Sequence, residues 1–189
     1  MQTAFYLDQT RCTGCATCEV ACKDWNDLPA WTENWIRIDY IEKGICPNVF
    51  ASYMLTPCYH CIEPACAKVC PTAAITKLAE NGIVVVNREL CIGREACGEK
   101  CLKVCPYDVP QFEAGQNGKM RKCDFCLSRQ QAGKVPICVE SCPTRALDYG
   151  PMTELEKRYG SNQAAEGFEF SKRTQPAFLI KPKPVNTDS

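Results

Sequence analysis

Cysteine decides what this chain can be: 17 of its 189 residues are cysteine, and 16 of them stand in four runs of four. Run one is Cys12, Cys15, Cys18 and Cys22, spaced C-x2-C-x2-C-x3-C. Run two is Cys58, Cys61, Cys66 and Cys70, spaced C-x2-C-x4-C-x3-C. Run three is Cys91, Cys97, Cys101 and Cys105, spaced C-x5-C-x3-C-x3-C. Run four is Cys123, Cys126, Cys138 and Cys142, spaced C-x2-C-x11-C-x3-C. Cys46 is left over. Pro71, Pro106 and Pro143 follow the last cysteine of runs two to four, and Lys23 takes that place in run one. The insertions vary while the closing x3-C recurs, so the chain is an internal repeat of cysteine spacing.

Such a density also suits a disulfide scaffold in a short secreted chain. The odd count, the length and an N-terminus (MQTAFYLDQTRC) without a basic or apolar export pattern oppose that reading. Metal ligation remains. A cubane takes four thiolates, one per iron, and residues three apart in a tight loop can present three sulfurs to one side of it. In the bacterial run C-x2-C-x2-C-x3-C-P the fourth cysteine goes to the other cluster of a pair. Run one matches that cysteine spacing, and runs two to four match it with insertions. Structural zinc sites pair C-x2-C units across a longer spacer. Run four alone could pass for one; the triplets and the x3-C-P endings do not suit it. The expectation is four [4Fe–4S] clusters.

Short segments surround the runs. Ala4–Asp8, Ile36–Ile41, Val109–Phe112, Lys119–Lys122 and Ala146–Tyr149 read as strands. Ala73–Lys77 and Ile83–Asn87 flank Glu80-Asn81-Gly82, a hairpin signal. Ala65–Val69, Leu127–Ala132 and Ile137–Ser141 suit only short helices. The fold class expected is α+β, loop-rich. Pro151–Ser189 carries no cysteine and ends near Lys-Pro-Lys-Pro, so it is expected to be an extended C-terminal arm. Lys+Arg and Asp+Glu balance at 22 each with no long basic run, which argues against nucleic-acid binding. No apolar stretch approaches the ~18 residues that cross a bilayer.

Taken together the runs resemble the four-cluster ferredoxin-type iron–sulfur subunits of molybdenum and tungsten oxidoreductases. Dimethyl sulfoxide reductase, polysulfide reductase, formate dehydrogenase, formate hydrogenlyase, carbon monoxide dehydrogenase and tungsten aldehyde oxidoreductase systems have such subunits. The resemblance spans roughly residues 3–150. It lies in Arg11-Cys12-Thr13-Gly14-Cys15, Ala21-Cys22-Lys23, Cys70-Pro71-Thr72-Ala73-Ala74-Ile75, Cys105-Pro106-Tyr107 and Cys142-Pro143-Thr144-Arg145-Ala146-Leu147. Lys122-Cys123-Asp124-Phe125-Cys126, with Arg129, Gly133 and Pro136, is also typical.

The resemblance implies crossed ligation. Cys12, Cys15, Cys18 and Cys142 would hold one cluster; Cys123, Cys126, Cys138 and Cys22 its neighbour. Cys58, Cys61, Cys66 and Cys105 would hold a third; Cys91, Cys97, Cys101 and Cys70 the fourth. That implies two interleaved ferredoxin-like modules, residues 1–56 with 107–150 and an inserted 57–106, each with two clusters. Run three departs from the family spacing, Arg94 standing three after Cys91, so a [3Fe–4S] cluster there is the alternative to a cubane. The resemblance also implies a non-catalytic electron-transfer subunit. Its partners would be a large molybdenum- or tungsten-pterin catalytic subunit and a further redox subunit or membrane anchor. A free polyferredoxin-type carrier, or a subunit of a hydrogenase or carbon monoxide dehydrogenase system, is the alternative. Self-association through the tail and the tryptophan segment is a further partner class. A cytoplasmic location is expected, with periplasmic co-export on a partner's signal as the alternative.

Other residues have plainer readings. His60, the single histidine, lies between two ligands of run two and is placed either to hydrogen-bond a cluster or to serve a surface or packing role. Cys46 is expected to be a buried thiol. Trp25, Trp31 and Trp35 suit a packed lid or a partner interface. Arg94, Lys100 and Lys103 are solvated surface, or a charge that raises the potential of the run-three cluster. No serine–histidine, paired-carboxylate or phosphate-loop arrangement stands out.

Overall fold

The computed structural model describes residues 1–30 and 33–185; Trp31 lies outside them. Its main sheet has three strands in the order β8-β1-β9. The central strand β1 (Thr3–Asp8) is buried along its whole length. It pairs antiparallel with β8 (Leu147–Pro151), Phe5 opposite Tyr149, and parallel with β9 (Phe178–Lys181), Phe5 beside Phe178. Side chains alternate across a strand, so Phe5 and Leu7 point to one face and Ala4 and Tyr6 to the other. The first pair joins Phe178, Ile180, Phe125 and several cysteines in the main core. The second pair packs with Ala177, Leu179 and Leu155. Leu155 comes from α7 (Met152–Tyr159), which covers the outer face.

This arrangement corrects the expected C-terminal arm. The segment after Pro151 supplies α7 and β9, and Ala177–Ile180 is fully buried. The reason is that β1 is apolar on both faces and has two edges, so it needs a second partner strand and a cover.

The sequence-read hairpin forms as β4 (Ile75–Lys77) against β5 (Val84–Val86), antiparallel. A third pair is β6 (Gln111–Phe112) with β7 (Met120–Arg121). The segment at Ile36–Ile41 grows into β2 (Arg37–Ile45), paired over nine residues with β3 (Asn48–Thr56), for which no expectation existed. Cys46 sits at the tip of this hairpin and is exposed, not buried as expected.

The helices are short. α1 (Thr17–Trp25) packs against α6 (Ile137–Ser141), and α2 (Ala65–Lys68) against α4 (Lys100–Lys103). α3 (Arg94–Cys97) and α5 (Leu127–Gln131) complete the set. α1 runs three residues past Cys22 because Lys23, unlike proline, keeps its N–H and clashes with no carbonyl. Trp25 lies under the guanidinium of Arg129, 4.6 Å from its ring centre, and Trp35 packs against the main core. Arg129 is itself buried, donating to the Val135 carbonyl at 2.8 Å and pairing with Glu140, which pins the long insertion of run four. No described helix is long and apolar enough to cross a membrane.

Candidate metal centres

Two small cavities are walled by cysteines of different runs. One is lined by Cys12, Cys15, Cys18 and Cys142, with Leu7, Ile38 and Leu55. The other is lined by Cys70, Cys91, Cys97 and Cys101, with Ile75, Phe112 and Met120. The extra residues of run three are taken up by the α3 turn, and both Cys91 and Cys97 face the cavity. Arg94 instead sits over the Phe112 ring, 5.7 Å from its centre, and pairs with Glu99, while Lys100 reaches the cavity wall.

The remaining eight cysteines of the runs form two further groups. Cys22 lies close enough to Cys126 for their charges to repel, as do Cys123 and Cys22, and Cys138 with each of Cys126 and Cys22. Cys61 stands in the same relation to Cys58, Cys66 and Cys105. Members of different groups also lie within electrostatic range of one another. Cys18 neighbours Cys22 and Cys138; Cys123 neighbours Cys58; Cys66 neighbours Cys101.

Burial, followed by repulsion from neighbouring thiols, pushes Cys18, Cys22, Cys61, Cys66 and Cys101 up to about 12. Cys123 and Cys138 are raised well above the ordinary value, again mainly by burial. Ligating a metal takes the thiolate, so filling these sites releases protons and is favoured as pH rises. Cys15 is lowered by the Thr17 hydroxyl, 3.3 Å from its sulfur, and the Thr17 N–H. At Cys70 burial acts upward, but the N–H groups of Thr72 and Ile75 outweigh it.

Donors aimed at sulfur recur around the sites. The N–H groups of Met120, Phe125 and Ala146 point at Cys91, Cys123 and Cys142 from 3.4, 3.4 and 3.3 Å. The Thr72 and Thr144 hydroxyls lie 3.8 and 3.6 Å from Cys70 and Cys142, two residues after each ligand. Both C-P-T turns continue through a residue with positive φ, Ala73 at 52° and Arg145 at 53°. Gly14, His60 and Phe125, each third in its C-x-x-C, also share positive φ, at 68°, 41° and 63°. Glycine takes this conformation freely; for His60 and Phe125 it is strained and must be held by the surroundings.

A set of donors surrounds His60, of which Lys122 and His60 are buried. Lys122 is buried, its Nζ donating to the Val84 and Cys123 carbonyls and meeting no carboxylate among the described residues. Lys77 donates to the Cys61 and Ile62 carbonyls at 3.2 and 2.8 Å. His60 has no exposed surface, which removes the surface alternative. Its Nδ1 accepts the Val84 N–H at 2.9 Å, and its Nε2 has no partner among the described residues. Burial, reinforced by Lys122 and Lys77, holds its pKa well below the ordinary histidine value. A buried cation and a buried N–H without acceptors each destabilise a fold, the second by ~1–3 kcal/mol. A negatively charged cluster would satisfy both.

Sequence reasoning missed one contributor. Residues 174–177 run along the run-two loop: Ile62 and Glu63 donate to the Gln175 and Thr174 carbonyls, and Ala177 donates to that of Tyr59. This brings Thr174, fully buried, close to Cys61, with its hydroxyl unpartnered among the described residues. Its signal was the apolar run Ala177–Ile180, which reads as a strand.

The donor set fits cubanes. Among the described residues no three His, Cys, Asp or Glu side chains are placed to share one metal ion, as a zinc site requires. Eight of the thiols instead ring two cavities, as one sulfur per iron demands.

Comparison with known proteins agrees with this chemistry. The 4Fe-4S dicluster domain matches residues 49–152. The sequence is 46% identical over 190 residues to the B subunit of the anaerobic dimethyl sulfoxide reductase of Haemophilus influenzae, spanning 96% of this protein and 89% of that one. It is 44% identical over 188 residues to YnfG of Escherichia coli, a probable anaerobic dimethyl sulfoxide reductase subunit, with the same coverage. Protein NrfC of E. coli is 38% identical over 148 residues, 78% of this protein and 64% of NrfC. The protein therefore belongs to the 4Fe–4S dicluster family and is one of its iron–sulfur electron-transfer subunits.

Proposed function

We propose that this protein relays single electrons through four [4Fe–4S] clusters to a large molybdenum- or tungsten-pterin catalytic subunit of the dimethyl sulfoxide reductase kind, and has no substrate chemistry of its own. A further redox subunit or membrane anchor supplies the electrons. The relatives named as reductase subunits support this direction. When bound, each cluster would accept and release one electron, at a potential set by its charge, burial and hydrogen bonds.

The ligand sets proposed are Cys12, Cys15, Cys18 and Cys142; Cys22, Cys123, Cys126 and Cys138; Cys58, Cys61, Cys66 and Cys105; and Cys70, Cys91, Cys97 and Cys101. One observation carries this reading: cysteines from different runs wall the same cavities, in the crossed combination. All four cysteines of the last set reach its cavity, which favours a cubane there over a [3Fe–4S] cluster. The proximity of Cys18 to Cys22, of Cys123 to Cys58 and of Cys66 to Cys101 supports a line in the order given. The same crossing supports two interleaved ferredoxin-like modules, 1–56 with 107–150 and 57–106, each holding two sets.

The protein's own groups hold, shield and tune. Cys22, Cys123, Cys126 and Cys138 are buried, which keeps water from that site. Lys122 places positive charge between the inner sets and offsets their thiolates. Cys15 is exposed at one end of the line. At the other, Cys91 and Cys97 are half-buried, with Leu90 and Ile92 exposed beside them. These two ends are the proposed contact points for the redox partners. Assembly in the reducing cytoplasm keeps the thiols available; a periplasmic destination on a partner's signal is the alternative that fractionation decides.

Anaerobic purification from the source, with mass spectrometry and metal analysis of one sample, tests the assignment. A stoichiometric large subunit carrying molybdenum or tungsten is expected. A nickel partner, or the brown protein alone, would contradict it.

A further inference from the structure

The imidazole of His60 carries a donor for which the described residues supply no acceptor. Val84 donates its N–H to Nδ1 at 2.9 Å. A backbone N–H can only donate, so Nδ1 is unprotonated and the ring proton sits on Nε2. That N–H is buried and unpartnered among the described residues. Around the ring stand Phe125, 4.9 Å between centres and apolar, and Lys122 and Lys77, whose ammonium groups are themselves donors. Gln2 donates its Nε2 to the His60 carbonyl at 3.0 Å. A buried ring N–H with nothing to receive it, close to cationic side chains, marks the place of a negatively charged acceptor.

The backbone narrows which acceptor. His60 is third in Cys58-Tyr59-His60-Cys61 and is held at a φ of 41°, the conformation shared by Gly14 and Phe125 in their own loops. Those positions carry no side-chain donor. At His60 the protein keeps a strained, buried imidazole where glycine or phenylalanine serves elsewhere, so the donor rather than the shape distinguishes the site.

We propose that His60 donates its Nε2–H to a sulfur of the cluster held by Cys58, Cys61, Cys66 and Cys105, and thereby raises the potential of that cluster alone among the four. The proposal rests on the ligand set given above. The physical basis is that a hydrogen bond to sulfur stabilises the more negative, reduced form. His60 is thus a tuning residue, acting on the cluster without exchanging electrons itself.

His60 is the single histidine of the sequence, so isotopic labelling of histidine marks one residue. The full-length protein, loaded with clusters and produced with 15N-histidine, is reduced with dithionite and compared with unlabelled protein by pulsed electron paramagnetic resonance. A nitrogen coupling that changes with the isotope is expected. Identical spectra, at an iron content of about sixteen per molecule (four cubanes of four), would overturn the proposal while leaving the ligand sets standing. An iron content well below that in the wild type would overturn the ligand sets and the proposal together. Redox titration provides the second readout. His60→Phe should move one cluster to more negative potential and leave three in place, and His60→Gln, which keeps a donor, should recover part of the shift. Unchanged potentials in a fully loaded His60→Phe protein would also overturn the proposal.

Discussion

The proposed sites of Cys22, Cys123, Cys126 and Cys138 and of Cys70, Cys91, Cys97 and Cys101 are built from the same kind of loop but stand in different surroundings. Three of the first four thiols belong to the main hydrophobic core, with Phe5, Phe125 and Phe178. The second group sits in a small separate core whose buried members are Ile75, Val84, Cys101 and Met120. In the first region the cysteines are part of what holds the main sheet to its helices. In the second they occupy a compact unit that contributes little to the rest. The same ligand chemistry therefore has a structural role in one place and a mainly redox role in the other.

The largest effect should come from removing a ligand on each side. Cys138→Ala should yield protein that aggregates and retains less than half its iron, because folding and cluster binding are coupled and metal binding can contribute ~10 kcal/mol or more. Cys97→Ala should remain monodisperse and lose at most one cluster. Iron analysis with size-exclusion chromatography reads both, and equal losses in the two variants would break the comparison.

Next is Phe178→Ala in β9. It removes a ring from the main core and should cost ~3–5 kcal/mol, visible as a large drop in thermal midpoint. Hydrogen exchange should accelerate in β1 and β8 and stay slow in β4 and β5. A mild effect would restore the loose-arm reading of the C-terminal segment.

That segment shows where the sequence was readable. The cysteine runs were legible because ligand spacing is local: the C-x-x-C loops of runs one, two and four and the closing x3-C of every run are set within a few residues. The β4–β5 hairpin was legible through its Asn81-Gly82 turn for the same reason. The place of Ala177–Ile180 was not, because it depends on an empty edge of β1 more than 170 residues earlier. Cys46 was misread because burial followed from residue type, whereas the β2–β3 tip projects it into solvent. For His60 the sequence left tuning, surface and packing roles open, and burial in the structure removes the surface role.

A smaller effect should follow at the opposite end of the line. Gly14 has φ 68°, and a Cβ there would meet the Tyr53 ring. Gly14→Ala should cost ~1–3 kcal/mol and speed the loss of the Cys12 cluster in air, read as faster bleaching of about a quarter of the visible absorption. Loss spread evenly over all clusters would show that the ends are not independent of the middle.

The smallest effect is expected of Cys46→Ser. Cys46 is exposed and stands outside the cavity linings, so iron content and visible spectrum should not change. A lost cluster would redraw the ligand sets.

The central claim is that sixteen thiols hold four cubanes. Iron and acid-labile sulfide per molecule, measured on anaerobically prepared protein together with its Mössbauer spectrum, test it most directly. The account predicts about sixteen of each, with every iron in the tetrathiolate cubane class. About fifteen irons with a three-iron signature would contradict the assignment at run three, and stoichiometric zinc in place of iron would contradict the whole.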